Sequence, residues 1–167
     1  MDETNLLYTC TQQGGAVGRG MRLTGTVSSG LGRAHIFMAQ PHYQEQFKEV
    51  LGSSAWPGTL NVDLESESLD PYRKLRVASG LDEGSHVVGL EPIRIQGFER
   101  DGRSFGGATA FHASISVDSK LWTKCALLIP DLTRHTETAE IISNSFLRES
   151  LPCNDGNEVW IRIVRSL

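Results

Sequence analysis

Residues 21–29 alternate along the chain. Leu23, Gly25 and Val27 fall on one side and Thr24, Thr26 and Ser28 on the other, which predicts a strand. A glycine-bearing loop, Ser29-Gly30-Leu31-Gly32-Arg33-Ala34-His35, leads into a second apolar segment, Ile36-Phe37-Met38, read as another strand. From Pro41 the period lengthens. Tyr43, Phe47, Val50 and Leu51 recur at helical spacing, with Gln44, Glu45, Lys48 and Glu49 facing outward. Pro41 suits the first turn of this helix and Gly52 its C-terminal stop. A Pro57-Gly58 turn then starts a strand through Asn61-Val62-Asp63-Leu64.

Residues 65–90 have no clear period and are broken by Pro71, Gly80 and Gly84, so they read as a surface excursion with short elements. Their acidic residues lack a calcium-loop spacing and read as a solvated face. From Pro92 the pattern turns to β. Ile93, Ile95 and Phe98 form one strand, Asp101-Gly102 a hairpin turn, and Arg103 to Phe111 the return. Gly106-Gly107 marks a bulge or a close approach of a ligand. Phe111–Val117 and Leu121–Ile129 predict two more strands. Pro130–Thr136 interrupts, and a helical stretch is read through Glu140, Ile141, Ile142, Phe146, Leu147 and Leu151. Asp155-Gly156 turns into a last strand, Glu158–Val164. The elements predict a mainly β fold with α additions: a compact barrel of about six strands with flanking helices. Residues 1–20, rich in glycine near their end, read as a flexible N-terminal extension, and residues 21–167 as one domain.

Composition changes this picture little. The 167 residues are 39% hydrophobic and 22% charged, ordinary for a globular domain with a proper core. A net charge of −4 without a basic cluster argues against nucleic acid as a partner. No apolar run approaches a membrane span, and the start, Met1-Asp2-Glu3, lacks a secretory signal, so no membrane partner is expected. Cys10, Cys125 and Cys153 are widely spaced and odd in number, which fits a reducing cytoplasm better than a disulfide framework. The protein is taken as a monomer.

Candidate chemistry begins at Thr59 and Asn61. In an extended backbone, residues two apart project to one face, so these side chains present a hydroxyl and a carbonyl together while Leu60 and Val62 point inward. Such a pair suits a hard cation such as Mg²⁺, and a polar turn entering a strand is the alternative reading. The Gly30–His35 loop can bring backbone N–H groups to an anion, but it matches neither a Walker loop nor a dinucleotide fingerprint, and a plain hairpin loop remains open. Thr133, Arg134 and His135 gather a hydroxyl, a guanidinium and an imidazole, for which a cap and a surface histidine are the structural alternatives.

In their order these segments resemble the CTP-dependent riboflavin kinases of archaea. The matching residues are Val27-Ser28-Ser29-Gly30-Leu31-Gly32, Tyr43-x-x-x-Phe47-x-x-x-Leu51-Gly52, Pro57-Gly58-Thr59-Leu60-Asn61 and Ile95-x-Gly97-Phe98. Further on come Ile129-Pro130-x-x-Thr133-x-His135, Glu140-Ile141-Ile142, Phe146-Leu147-Arg148 and Asp155-Gly156-x-Glu158-Val159. The resemblance implies a cradle-loop β-barrel that moves the γ-phosphoryl group of CTP to the 5′-hydroxyl of riboflavin, giving FMN and CDP. By matching, Thr59 and Asn61 hold Mg²⁺. Gly30, Leu31, Gly32, Arg33, Ala34 and His35 cradle the nucleotide, with Ser145, Phe146, Leu147 and Arg148 as a second part of its pocket. Thr133 and Glu140 face the flavin. Glu140, with His135 second, is the candidate base. Arg148 or Arg33 adds a cationic contact to the phosphates.

The chain departs from the family pattern in its first loop, where Arg33 and Ala34 stand at positions usually Glu and Gly. Alanine disfavours positive φ, so a reshaped loop is expected there. The stretch between Thr133 and Leu147 is also one residue shorter than usual. Some relatives carry an N-terminal winged-helix domain, and residues 1–20 are too short for one. A rival reading is a non-catalytic cradle-loop barrel that binds a nucleotide or flavin as a sensor or regulatory module. Such a module has no need of the Thr59/Asn61 pair.

Overall fold

The computed structural model describes residues 20–30 and 32–166. The extension expected before Gly20 lies outside the described residues, as do Cys10 and Leu31. The chain runs β1 (Met21–Ser28), α1 (Ala34–Met38), α2 (Pro41–Leu51), β2 (Leu60–Leu64) and α3 (Ser66–Ala78). It continues through β3 (Ile93–Ile95), β4 (Phe98–Arg100), β5 (Arg103–Phe105), β6 (Ala108–Ser116), β7 (Thr123–Pro130), β8 (Thr138–Ile142), α4 (Leu147–Ser150) and β9 (Glu158–Ile163).

Six strands close on themselves in the order β6-β7-β8-β2-β1-β9, with β9 returning to β6, and every pairing is antiparallel. Closure satisfies the edges that an open sheet would leave unpaired. The period of two on β1 becomes the barrel wall, with Leu23 and Val27 buried inside against Val62, Phe111, Ile115, Leu127 and Ile161. Gly25 lies where β1 crosses β2, and a Cβ there would run into the Asp63 carbonyl. The N-terminal half of β6 also pairs with β3, and β4 and β5 form a separate hairpin turned by Asp101 and Gly102, both at positive φ.

Helix α2 ends as expected, with Gly52 in the left-handed conformation at φ 83°. Its buried stripe of Tyr43, Phe47, Val50 and Leu51 covers Ala110, Ala126, Leu128 and Ile142 on the outside of the barrel. Strands β6 to β8 are therefore buried on both faces. That explains one correction. Residues 138–142, read as helical, are strand β8, and only Leu147–Ser150 is helix. An apolar run packed on both faces loses its alternation, so the pattern alone does not separate strand from helix.

Four more expectations change. The return strand read over Arg103–Phe111 and the strand read from Phe111 to Val117 are β5, Arg103–Phe105, and a single β6, Ala108–Ser116, that runs through Phe111. Ile36-Phe37-Met38 is helix α1, with Met38 buried and Ile36 and Phe37 exposed. The single strand expected across Ile93–Phe98 divides into β3 and β4 at Gly97, where a Cβ would strike the Phe105 carbonyl. The supposed surface excursion contains the 13-residue α3, packed on β1. Pro71 lies inside it, yet Tyr72, Leu75 and Val77 are buried, and Ser68 Oγ accepts the Thr24 N–H at 2.8 Å. Tertiary burial overrides the local cost of a helical proline, about 3 kcal/mol.

Candidate active site

The β2–β8 pairing builds the centre of the site. Asn61 stands opposite Glu140 and Leu60 opposite Ile141. Leu60, Val62 and Ile141 fill the barrel, so Thr59, Asn61 and Glu140 share the outward face. The Thr59 hydroxyl donates to Asn61 Oδ1 at 3.1 Å. Burial raises the Glu140 carboxyl above the usual carboxylate range, opposed by the nearby His135 and Thr59 side chains.

The glycine loop packs against this pair. A Cβ on Gly30 would come 2.6 Å from Asn61 Nδ2, so a side chain there would have to displace the Asn61 amide. Gly32 takes φ 70°, and its carbonyl is 2.8 Å from His35 Nδ1. Ala34 begins α1 in ordinary helical geometry, so the positive φ falls on Gly32 and the alanine is accommodated. Arg148 closes the other side. It donates to Asp155 Oδ1 at 2.7 Å and to the Ser28 carbonyl at 3.3 Å, while Ser29 Oγ donates to Asp155 Oδ2 at 2.6 Å.

These residues line a polar cleft of about 670 Å³, which takes in Gly30, Gly32, Ala34, His35, Thr59, Asn61, His135, Glu140 and Arg148. An adjoining apolar pocket of about 480 Å³ is lined by Phe37, Met38, Tyr43, Phe47, Phe105, Leu128 and Leu132. Ala34, Thr59 and Glu140 belong to both spaces. Phe105 stacks on Phe98 with centroids 4.6 Å apart, Phe37 meets its edge, and the Tyr43 hydroxyl donates to the Gly106 carbonyl at 2.6 Å. A third, small cavity of about 60 Å³ reaches from Thr59 to Ser145, Phe146, Leu147 and Arg148, where Trp56 stacks on Phe146.

The structure thus gathers residues that lie more than eighty positions apart in the chain. Arg33 precedes α1, is exposed, and lines none of these three spaces. Thr133 lines none of them either; its hydroxyl accepts the His135 N–H at 3.1 Å. Sequence reasoning missed the aromatic wall. Tyr43 and Phe47 stand out in the sequence only as part of a helical stripe, and Phe37, Phe105 and Leu132 have no role there because no local period links them.

Among the described residues no group of three His, Cys, Asp or Glu side chains could hold a metal by itself. Thr59 Oγ1 and Asn61 Oδ1 are 3.1 Å apart. Two neighbouring ligands of an octahedral Mg²⁺ stand about 2.9 Å apart at its usual bond length. Two neutral oxygens and a carboxylate alongside fit an ion that draws its remaining ligands from phosphate and water.

Fold and site define a small closed β-barrel with a polar and an apolar binding space meeting at one carboxylate. The chain belongs to the CTP-dependent riboflavin kinase family, whose model, described as a domain of unknown function (DUF120), matches residues 27–163. It is similar to proteins described as riboflavin kinases from Haloquadratum walsbyi (36% identity over 144 residues, 86% of this chain and 56% of the relative) and Thermoplasma acidophilum (34% over 148 residues, 89% and 60%). A third, from Thermofilum pendens, is 39% identical over 145 residues, 86% of this chain and 59% of the relative. The chain therefore spans between 56% and 60% of the length of these relatives.

Proposed function

We propose that this protein is a CTP-dependent riboflavin kinase, with residues 21–167 as its catalytic domain. It transfers the γ-phosphoryl group of CTP to the 5′-hydroxyl of riboflavin and releases FMN and CDP. The observation that carries the reading is the junction of the two spaces at Thr59 and Glu140. An apolar, aromatic-walled pocket suits the flavin ring, and a polar cleft closed by an arginine suits a triphosphate. Membership of the family favours this reading over a non-catalytic module.

Phosphoryl transfer asks a protein mainly for positioning and charge neutralisation. The backbone at Gly30 and Gly32, with His35, frames the triphosphate, and Arg148 offers donors to its oxygens on exchanging part of its contact with Asp155. Ser145 to Leu147 extend the nucleotide pocket beyond it. Thr59 and Asn61 hold Mg²⁺, which when bound offsets charge on the phosphate oxygens. Glu140 orients the riboflavin hydroxyl from the junction. As that oxygen bonds to the γ-phosphorus and the bond to the CDP oxygen breaks, the hydroxyl proton passes to the Glu140 carboxylate. His135 stands beside Glu140 and supports its charge. Thr133 belongs to the flavin side through the loop whose neighbour Leu132 lines the apolar pocket.

The same reading makes the protein a cytoplasmic monomer acting on small molecules, without nucleic acid or membrane as partner. A net charge of −4 and the free, buried Cys125 and Cys153 support it. Among the described residues no helix is long and apolar enough to cross a membrane. The test is to incubate the protein with riboflavin, Mg²⁺ and each of the four nucleoside triphosphates and to look for FMN by chromatography. FMN is expected with CTP; no FMN with any of the four overturns the kinase.

A further inference from the structure

The segment that carries His135 is tied to the barrel at its ends, where the Asp131 N–H donates to the Gly107 carbonyl and the Glu137 carbonyl accepts the Leu64 N–H. At its start, Arg94 of β3 also forms an ion pair with Asp131. Between the ends, a further contact comes from α3. Arg76, in the last turn of that helix, is only 9% exposed. Its guanidinium grips Asp82 with two bonds, Nε to Oδ2 at 2.8 Å and Nη2 to Oδ1 at 3.2 Å. The remaining nitrogen, Nη1, donates to the His135 carbonyl at 3.0 Å. One buried group thus joins α3, the loop that follows it and the loop that overhangs the cleft.

A fork of this kind is directional. The bidentate bond to Asp82 fixes the plane of the guanidinium and leaves Nη1 aimed one way. The His135 peptide is held at that end, while Thr133 Oγ1 accepts the His135 N–H from the other side. With both backbone groups of His135 bonded, the imidazole is presented to the cleft beside Glu140 from a fixed backbone. Without the Arg76 contact, His135 itself would keep the local Thr133 bond, on a stretch anchored at Asp131 and at the Glu137 carbonyl, which accepts the Leu64 N–H.

We propose that Arg76, oriented by Asp82, is a positioning residue for the phosphoryl-transfer site, acting through the His135 backbone on the geometry around Glu140. The inference rests on the kinase reading, and its test is separable from it. In Arg76→Lys the charge remains but the fork is lost. Asp82→Asn is the second variant, keeping Arg76 while weakening what orients it. For both, kcat with CTP at saturating riboflavin is expected to fall about 10-fold or more, since a misplacement near 1 Å can cost far more than that. KM for CTP should change less than about 3-fold, because the triphosphate contacts lie on other elements.

A purely structural role would act equally in any background, so the same substitutions are made in His135→Ala. Arg76→Lys should then have little further effect on kcat, because the imidazole that the backbone contact positions is gone. Hydrogen exchange provides a readout independent of turnover. Amides of residues 132–137 should exchange faster in Arg76→Lys, with those of α3 unchanged. If both single variants retain wild-type kcat, or if Arg76→Lys costs as much in the His135→Ala background as alone, the proposal is overturned. If exchange rises along α3 but not in the loop, Arg76 is a structural helix anchor and the proposal is likewise overturned. If the unaltered protein makes no FMN, the kinase reading fails, and the exchange experiment still decides whether Arg76 holds the loop.

Discussion

At the scale of single residues, the site depends on small groups placed by backbone geometry. Thr59 and Asn61 face the same way because they lie two apart on an extended chain, and the Asn61 amide lies where a side chain on Gly30 would project. Thr59→Ala and Asn61→Ala are expected to lower turnover by at least about 10-fold, the scale seen when groups supporting a metal are removed. Their melting temperatures should stay within about 4 °C of the parent, since neither side chain fills the core. Steady-state FMN formation and a thermal melt check both parts, and full activity in both variants would show that the pair does not hold the ion. That these two side chains share a face was legible as spacing, and their assignment as metal ligands came with the resemblance. Their partner Glu140 was legible only through resemblance, because its place opposite Asn61 comes from strand register.

At the scale of elements, the most informative is α3. Its acid-rich sequence and internal proline looked like an irregular excursion, yet it buries Tyr72 and Leu75 against the barrel and carries Arg76 to the His135 carbonyl. The buried phenol of Tyr72 is pushed up to about 12, chiefly by desolvation and further by the Glu140 charge, which places this helix in electrical reach of the site. Leu75 is fully buried, so Leu75→Ala should cost about 2–5 kcal/mol of stability, from lost burial plus the cavity left behind. Urea unfolding followed by circular dichroism measures it, and a loss below about 1 kcal/mol would mean that α3 is only loosely attached. Strand β8 carries the opposite lesson. Its Ile141-Ile142 pair is apolar on both faces because one side lines the barrel and the other meets the α2 layer.

At the scale of the whole molecule, ion pairs tie the connecting segments to the barrel. The Arg76 hydrogen bonds hold Asp82 below the usual carboxylate range. A carboxylate depressed in the folded state contributes stability that is fully present above its unfolded value, about 3.9, and is lost as pH falls through the folded value. The urea midpoint of the parent should therefore drop more steeply below about pH 4 than that of Asp82→Asn. Unfolding curves collected from pH 6 downward test this, and parallel curves for the two proteins would remove Asp82 from the acid response.

The sequence by itself determined the strands with one buried face, the amphipathic α2 with its glycine stop, the Asp101-Gly102 and Asp155-Gly156 turns, and the Thr59/Asn61 pair. Each of these is written in neighbours two to four residues apart, where the backbone repeat alone sets which side chains share a face. Only the tertiary structure decided which strands pair, that β8 is a strand, that α3 is buried, and that a polar cleft and an aromatic pocket meet at Glu140. Those outcomes depend on closing the barrel. Closure brings together segments far apart in sequence and buries some of them on two sides, and no local period records either event.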